Sequence, residues 1–120
     1  MFSLCQVATQ LKLPYHVGVV QSKDSFYGQH SPDRMPTYND LSSKWEAWKR
    51  LGVLASEMEA STLFTVGASL GIQTGAVFNV VWNQERANAG LDTSKDENHD
   101  MSGAIQTAVE AIRLLIKASK

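Results

Sequence analysis

The amino-acid sequence predicts an α/β domain, on three observations. Apolar residues recur at helical spacing in several stretches, two short β-branched runs read as strands covered on both faces, and the two kinds of segment alternate. Composition agrees: 120 residues, 43% apolar, with 11 basic against 12 acidic side chains and a net charge of −1, describe an ordinary globular domain and exclude a disordered tail or a fibrous repeat.

Each element has its own signal. Leu4, Val7, Ala8 and Leu11 predict an amphipathic helix over 3–13, ended by Pro14, and the run at 15–20 predicts a buried, parallel-type strand. Residues 21–38 have no period but hold Gly28, Pro32 and Pro36, and read as a long ordered loop of the kind that usually carries function. Asn39 or Asp40 can cap a helix through Arg50 that carries Trp45 and Trp48 on one side and stops at Gly52. Val53-Leu54-Ala55 leads to Ser56, after which Ala60, Leu63, Phe64, Gly67 and Leu70 form a second helical stripe closed by Gly71. Residues 74–82 predict another buried strand, 83–100 are polar and aperiodic, and 101–118 predict a last helix with Ile105, Val109, Ile112 and Ile116 on its apolar face.

Several function classes are excluded at this level. No stretch approaches the roughly 18 apolar residues of a membrane span, and the first residues lack a secretory pattern, so a cytoplasmic address is expected, without a membrane partner. The absence of a basic cluster argues against nucleic acid. Cys5 cannot form an internal disulfide and reads as a small buried apolar residue. His16, His30 and His99 have no metal-ligand spacing with one another or with Cys5, His16 reading as a packed strand residue, and the acidic run at 92–100 lacks the pattern of a calcium loop. No cofactor is expected.

Ser56-Glu57-Met58-Glu59 admits two readings. Ser-x-x-Glu ahead of an apolar stripe is a capping box, in which Ser56 and Glu59 satisfy each other's backbone. Alternatively the strand-to-helix turn falls between Glu57 and Glu59, the two carboxylates converge, and one of them accepts a pair of sugar hydroxyls through charge-assisted bonds.

Three motifs, in order and at similar separations, carry a family resemblance: Asp24-Ser25-Phe26-Tyr27-Gly28-Gln29, the stretch from Ala55-Ser56-Glu57-Met58-Glu59 through Leu63, and Val80-Val81-Trp82-Asn83. Together they resemble the uridine phosphorylase branch of the nucleoside phosphorylase family, over about residues 4–116. The resemblance implies a three-layer sheet flanked by helices, incomplete on its N-terminal side, so that residues 1–120 form a single partial domain, its C-terminal half. It implies that Phe26 packs against the nucleobase, Gln29 reads the uracil edge, Glu59 holds the ribose hydroxyls, Met58 lies beneath the sugar and Glu57 neighbours that pocket. A side-chain amide suits a pyrimidine dione because it can both donate and accept.

Where the bacterial family pattern places an arginine, two residues after the glutamine, this chain has Ser31. Arg34 is then the catalytic candidate for stabilising charge that grows on the uracil oxygen; its alternative is an exposed loop residue. Asn83 matches a position at which purine-specific members resemble one another in having a proton-donating aspartate, and an asparagine cannot supply that proton. By itself Asn83 is a turn residue at a strand end.

Phosphate has no evident cradle: there is no glycine cluster opening a helix, no Walker pattern and no basic side chain beside the turn at 57–59. The resemblance puts the phosphate-binding segments N-terminal to everything in this chain. Two functions follow as expectations: uridine and phosphate give uracil and ribose 1-phosphate in the intact enzyme, the chain alone being inactive, or the chain is a non-catalytic nucleoside-binding or subunit-interaction module. The family's ring assemblies imply a homo-oligomer.

Overall fold

The computed structural model describes residues 1–119, which divide into two compact units: Met1–His16 with the chain from Gly75 onward, and Val17–Thr74. In the first unit, helix α1 (Phe2–Gln10) packs against the long last helix, α6 (Ser102–Ala118). The seam is built from small side chains, with Val7 and Ala8 of α1 and Thr107 and Ala111 of α6 all buried, which lets the two backbones approach. The buried Thr107 hydroxyl donates to the Gly103 carbonyl at 2.8 Å, so this hydroxyl is not stranded in the seam. The apolar stripe of α6 is wider than the surface α1 covers, and Ile105, Ile112 and Ile116 stay more than half exposed at 59%, 58% and 55%. Cys5 is half-buried rather than buried.

Residues 74–82 correct the sequence reading, because they join no sheet. The preference of valine and aromatic residues for strands is a preference for a pleated, half-buried surface, and it is realised only where another strand offers its backbone. Here the stretch is instead tied to Asn98: the Asn98 amide donates to the Val81 carbonyl at 3.0 Å, its carbonyl accepts from Asn79 Nδ2 at 2.6 Å, and its Nδ2 donates to Asn79 Oδ1 at 3.4 Å. Val80 is left 64% exposed. The polar stretch that follows contains the short helix α5 (Gln84–Asn88).

The second unit is a strand–helix–strand crossover followed by a helix. Strand β1 (Val20–Ser22) leads through α2 (Phe26–His30), a single 3-10 turn (Pro32–Arg34) and α3 (Tyr38–Arg50) to β2 (Ala55–Glu57) and then α4 (Ala60–Ser69). The strands run parallel, with Val20 opposite Ala55, Gln21 opposite Ser56 and Ser22 opposite Glu57. Pairing extends beyond them through Leu54 N–H to the Val19 carbonyl at 2.9 Å and Lys23 N–H to the Glu57 carbonyl at 2.8 Å. The result is a mixed helix–strand fold with a small parallel sheet.

Four expectations shift here. The strand read at 15–20 lies at 20–22, with Tyr15, His16, Val17 and Val19 exposed, because the ladder forms only where β2 reaches it. The loop read at 21–38 holds α2 and the 3-10 turn; a five-residue helix is too short to show a period, and its mark is the Ser25 hydroxyl accepting from Gly28 N–H at 3.0 Å. Helix α3 ends at Arg50 with Gly52 in the left-handed region at φ 72°, but it starts at Tyr38, so neither Asn39 nor Asp40 is its cap. Helix α4 starts at Ala60, after Glu57 and Glu59 rather than with them. Among the described residues no helix is long and apolar enough to cross a membrane.

Candidate functional site

In an open α/β sheet, ligands sit beyond the carboxyl ends of the parallel strands. The carboxyl ends of β1 and β2 lie side by side through the Ser22–Glu57 pairing, and the groups gathered there are side chains of β1, β2, α2 and Lys23 and backbone amides at the start of α4. The Ser22 hydroxyl donates to Glu57 Oε1 and accepts from the Ser61 amide at 3.0 Å. Glu57 Oε2 accepts from the amides of Glu59 at 2.7 Å and Ala60 at 2.6 Å. Glu57 is therefore the residue that satisfies the open amides of α4, and the capping box read at Ser56 and Glu59 is corrected: Ser56 stays in β2. The chain turns at Met58 and Glu59, both exposed, with Glu59 Oε2 accepting from the Met58 amide at 3.1 Å.

Electrostatics follow from this network. Desolvation pushes the Glu57 carboxyl up, but the Ser22 hydroxyl, the Ala60 and Glu59 amides and the Lys23 charge together outweigh it and hold its pKa below the usual value. Burial lowers the pKa of Lys23, against the nearby charges of Glu57 and Glu59, which favour the ammonium.

Helix α2 supplies a second set of side chains from one face, since Phe26, Gln29 and His30 stand three and four residues apart. Gln29 Nε2 donates to Ser56 Oγ at 2.9 Å, and Lys23 Nζ donates to the same oxygen at 3.2 Å. Lys23 Nζ also lies 3.1 Å from His30 Nε2 and 5.3 Å from the centre of the Phe26 ring. The Phe26 and His30 rings are 4.3 Å apart, centre to centre. Gln29 Oε1 is buried and has no hydrogen-bond partner among the described residues. An amide oxygen in that position is an acceptor waiting for an N–H group. Gly28, on the buried side of α2, leaves room for the Ser25 side chain that caps the helix: a Cβ there would lie 3.0 Å from Ser25 Oγ, and in ordinary contact with Leu41 Cδ2 of α3 at 3.6 Å.

The structure thus brings together Phe26, Gln29, Ser56 and Lys23, with Glu57, Met58 and Glu59 following directly along the chain from Ser56. Lys23 was missed in the sequence, and the reading that no basic side chain stands beside the turn is corrected by its contact with Ser56. The shift of β1 explains the miss, because a strand ending at 20 leaves Lys23 in a loop, whereas a strand ending at 22 sets it opposite the end of β2. Arg34 is exposed at the end of the 3-10 turn. Asn83 belongs to the other unit, where its Oδ1 accepts from the Arg86 amide at 3.1 Å and caps α5.

Comparisons with known proteins agree on one family. Residues 3–118 match the Phosphorylase superfamily. The chain is 46% identical over 114 residues to a uridine phosphorylase of Treponema pallidum (strain Nichols), covering 95% of this chain and 43% of that protein. It is 33% identical over 120 residues to a uridine phosphorylase of Escherichia coli (strain K12), covering 95% and 46%. A DeoD-type purine nucleoside phosphorylase of Streptococcus suis (strain 05ZYH33) is 35% identical over 94 residues, covering 78% and 35%. The chain spans less than half the length of these curated relatives.

Proposed function

The chain belongs to the phosphorylase superfamily, and from that premise we propose that it forms the base- and ribose-facing side of a uridine phosphorylase site. In the intact enzyme, phosphate attacks C1′ of uridine through an oxocarbenium-like transition state, giving uracil and ribose 1-phosphate. Within the three-layer domain of that enzyme the phosphate-binding groups lie outside residues 1–120, so this chain binds without turning over.

The observation that carries this reading is the buried, unpartnered Gln29 Oε1, beside an amide nitrogen fixed on Ser56. The oxygen accepts the uracil N–H while Phe26 packs against the ring. Met58 lies beneath the sugar, Glu57 neighbours that pocket, and Glu59 takes the two ribose hydroxyls. Positive charge for the departing uracil comes from Lys23, which stands in the Gln29–Ser56 cluster, with His30 against it. Arg34, exposed at its turn, is the second candidate for that role. Asn83, lacking an acidic proton, fits a pyrimidine rather than a purine product. A homo-oligomer in the cytoplasm, using nucleoside and phosphate, completes the proposal.

Calorimetric titration of the chain with uridine and with adenosine tests it. Uridine binds and adenosine does not, and Glu59→Gln weakens uridine by about 1.5–3 kcal/mol, the range for a hydrogen bond to a charged group. Equal affinity for the two nucleosides, or an unchanged affinity in the variant, contradicts it.

A further inference from the structure

We propose that Ser22 and Glu57 are a positioning pair, tying the carboxyl ends of β1 and β2 to the start of α4 and thereby fixing the turn that presents Met58 and Glu59. The inference rests on the ribose role proposed for Glu59.

Four hydrogen bonds form a closed circuit. Ser22 Oγ donates to Glu57 Oε1, Glu57 Oε2 takes the amides of Glu59 and Ala60, and the Ser61 amide returns to Ser22 Oγ at 3.0 Å. Both carboxylate oxygens of Glu57 are thus engaged by the protein, and the Ser22 hydroxyl both donates and accepts. Glu57 was expected from the sequence to face substrate, but with its oxygens taken it acts through the residues that follow it. Residues 58 and 59 have few other constraints, since both are exposed and precede the first turn of α4. An exposed turn of two residues between a strand and a helix would sample many backbone conformations, and each would aim the Glu59 carboxylate differently. The circuit selects one of them before ligand arrives, because it holds the amide of Glu59 itself. The Ser22 end matters because it couples the turn to β1, whose next residue is Lys23. One hydroxyl therefore joins the polypeptide that carries the base-side cation to the polypeptide that carries the ribose-side carboxylate.

Amide hydrogen exchange on the chain, combined with calorimetric titration of uridine and of uracil, tests the pair through Ser22→Ala, Glu57→Gln and Ser22→Thr. In Ser22→Ala and Glu57→Gln, protection at Glu59, Ala60 and Ser61 falls while that of α6 is unchanged. Uridine binding weakens about tenfold, the equivalent of one lost hydrogen bond, and uracil binding stays the same. Ser22→Thr keeps the hydroxyl and restores both. Unchanged protection in Ser22→Ala, or equal loss of uridine and uracil affinity, overturns the pair, since a merely structural defect does not distinguish ligands with and without ribose. Should Ser22→Ala lose protection throughout the chain, Glu57→Gln, which preserves shape, decides by the same criteria. If the parent chain binds neither uridine nor uracil, the functional reading fails, and the exchange at Glu59–Ser61 alone upholds or overturns the pair.

Discussion

Two stretches of this chain have the same strand-forming chemistry and different fates. Residues 15–22 and 74–82 are both apolar and β-branched, yet only the first reaches a ladder, and only at its end, over Val20–Ser22. The first has β2 returning alongside it through the α2–α3 crossover, whereas the second is hydrogen-bonded to Asn98 and to no strand among the described residues. Polar groups follow the same division. At the end of β1 the Ser22 hydroxyl, the Glu57 carboxylate and the first amides of α4 satisfy one another, while along 78–82 the side chains of Phe78, Val80, Val81 and Trp82 are left exposed. Strand propensity is thus a statement about a surface, and the partner decides whether that surface exists.

Substitutions break or sharpen this contrast, the largest effect among them being expected at Gly28, on the buried side of α2. Gly28→Val pushes a branched side chain against Ser25 and Leu41, and overpacking of this kind costs about 1–3 kcal/mol in thermal or denaturant unfolding. Ser25→Ala removes the acceptor for the Gly28 amide and is expected to cost about 1 kcal/mol, with exchange of the α2 amides rising before global unfolding. Val80→Thr, on the unpaired stretch, is expected to stay within about 0.5 kcal/mol, as an exposed position should. If Val80→Thr costs as much as Gly28→Val, residues 74–82 are held by packing and the contrast collapses.

Acid provides a finer test. The pKa of Glu57 is depressed in the folded chain, so its carboxylate contributes stability that is fully present above the unfolded value and is lost as pH falls through the folded one. The start of α4 should therefore loosen on acidification below the usual carboxylate range, as read by amide exchange at Ala60 and Ser61. Glu57→Gln should abolish that step while leaving the acid response of α6 in place.

The helices were the most readable part of the sequence because each runs for about two and a half turns or more: α1, α3, α4 and α6 all lie where the spacing of Leu4 and Val7, Trp45 and Trp48, Leu63 and Phe64, and Ile105 and Ile112 puts them. Strand ends were not readable, since a run of valines does not say which of its residues will face a partner, and Lys23 was hidden by that single uncertainty. The 56–59 turn could be framed but not decided, because Ser-x-x-Glu fits a helix start at 57 as well as one at 60. What decided it was Glu57, whose carboxylate reaches its own following amides once β2 has fixed its backbone. Asn83 shows the opposite case, a residue whose reading as a turn residue is met by its local role as the cap of α5.

The central claim is that the carboxyl ends of β1 and β2, with α2, form the nucleobase and ribose face of the site. Titrating the isotope-labelled chain with uridine and following every amide, including the Gln29 side chain, tests it most directly. The account predicts saturable shifts at Lys23, Phe26, Gln29, Ser56 and Glu59, with the Gln29 side-chain amide among the largest, and none along α6. Shifts confined to α1 and α6, or no saturable shift at the Gln29 amide, would contradict it.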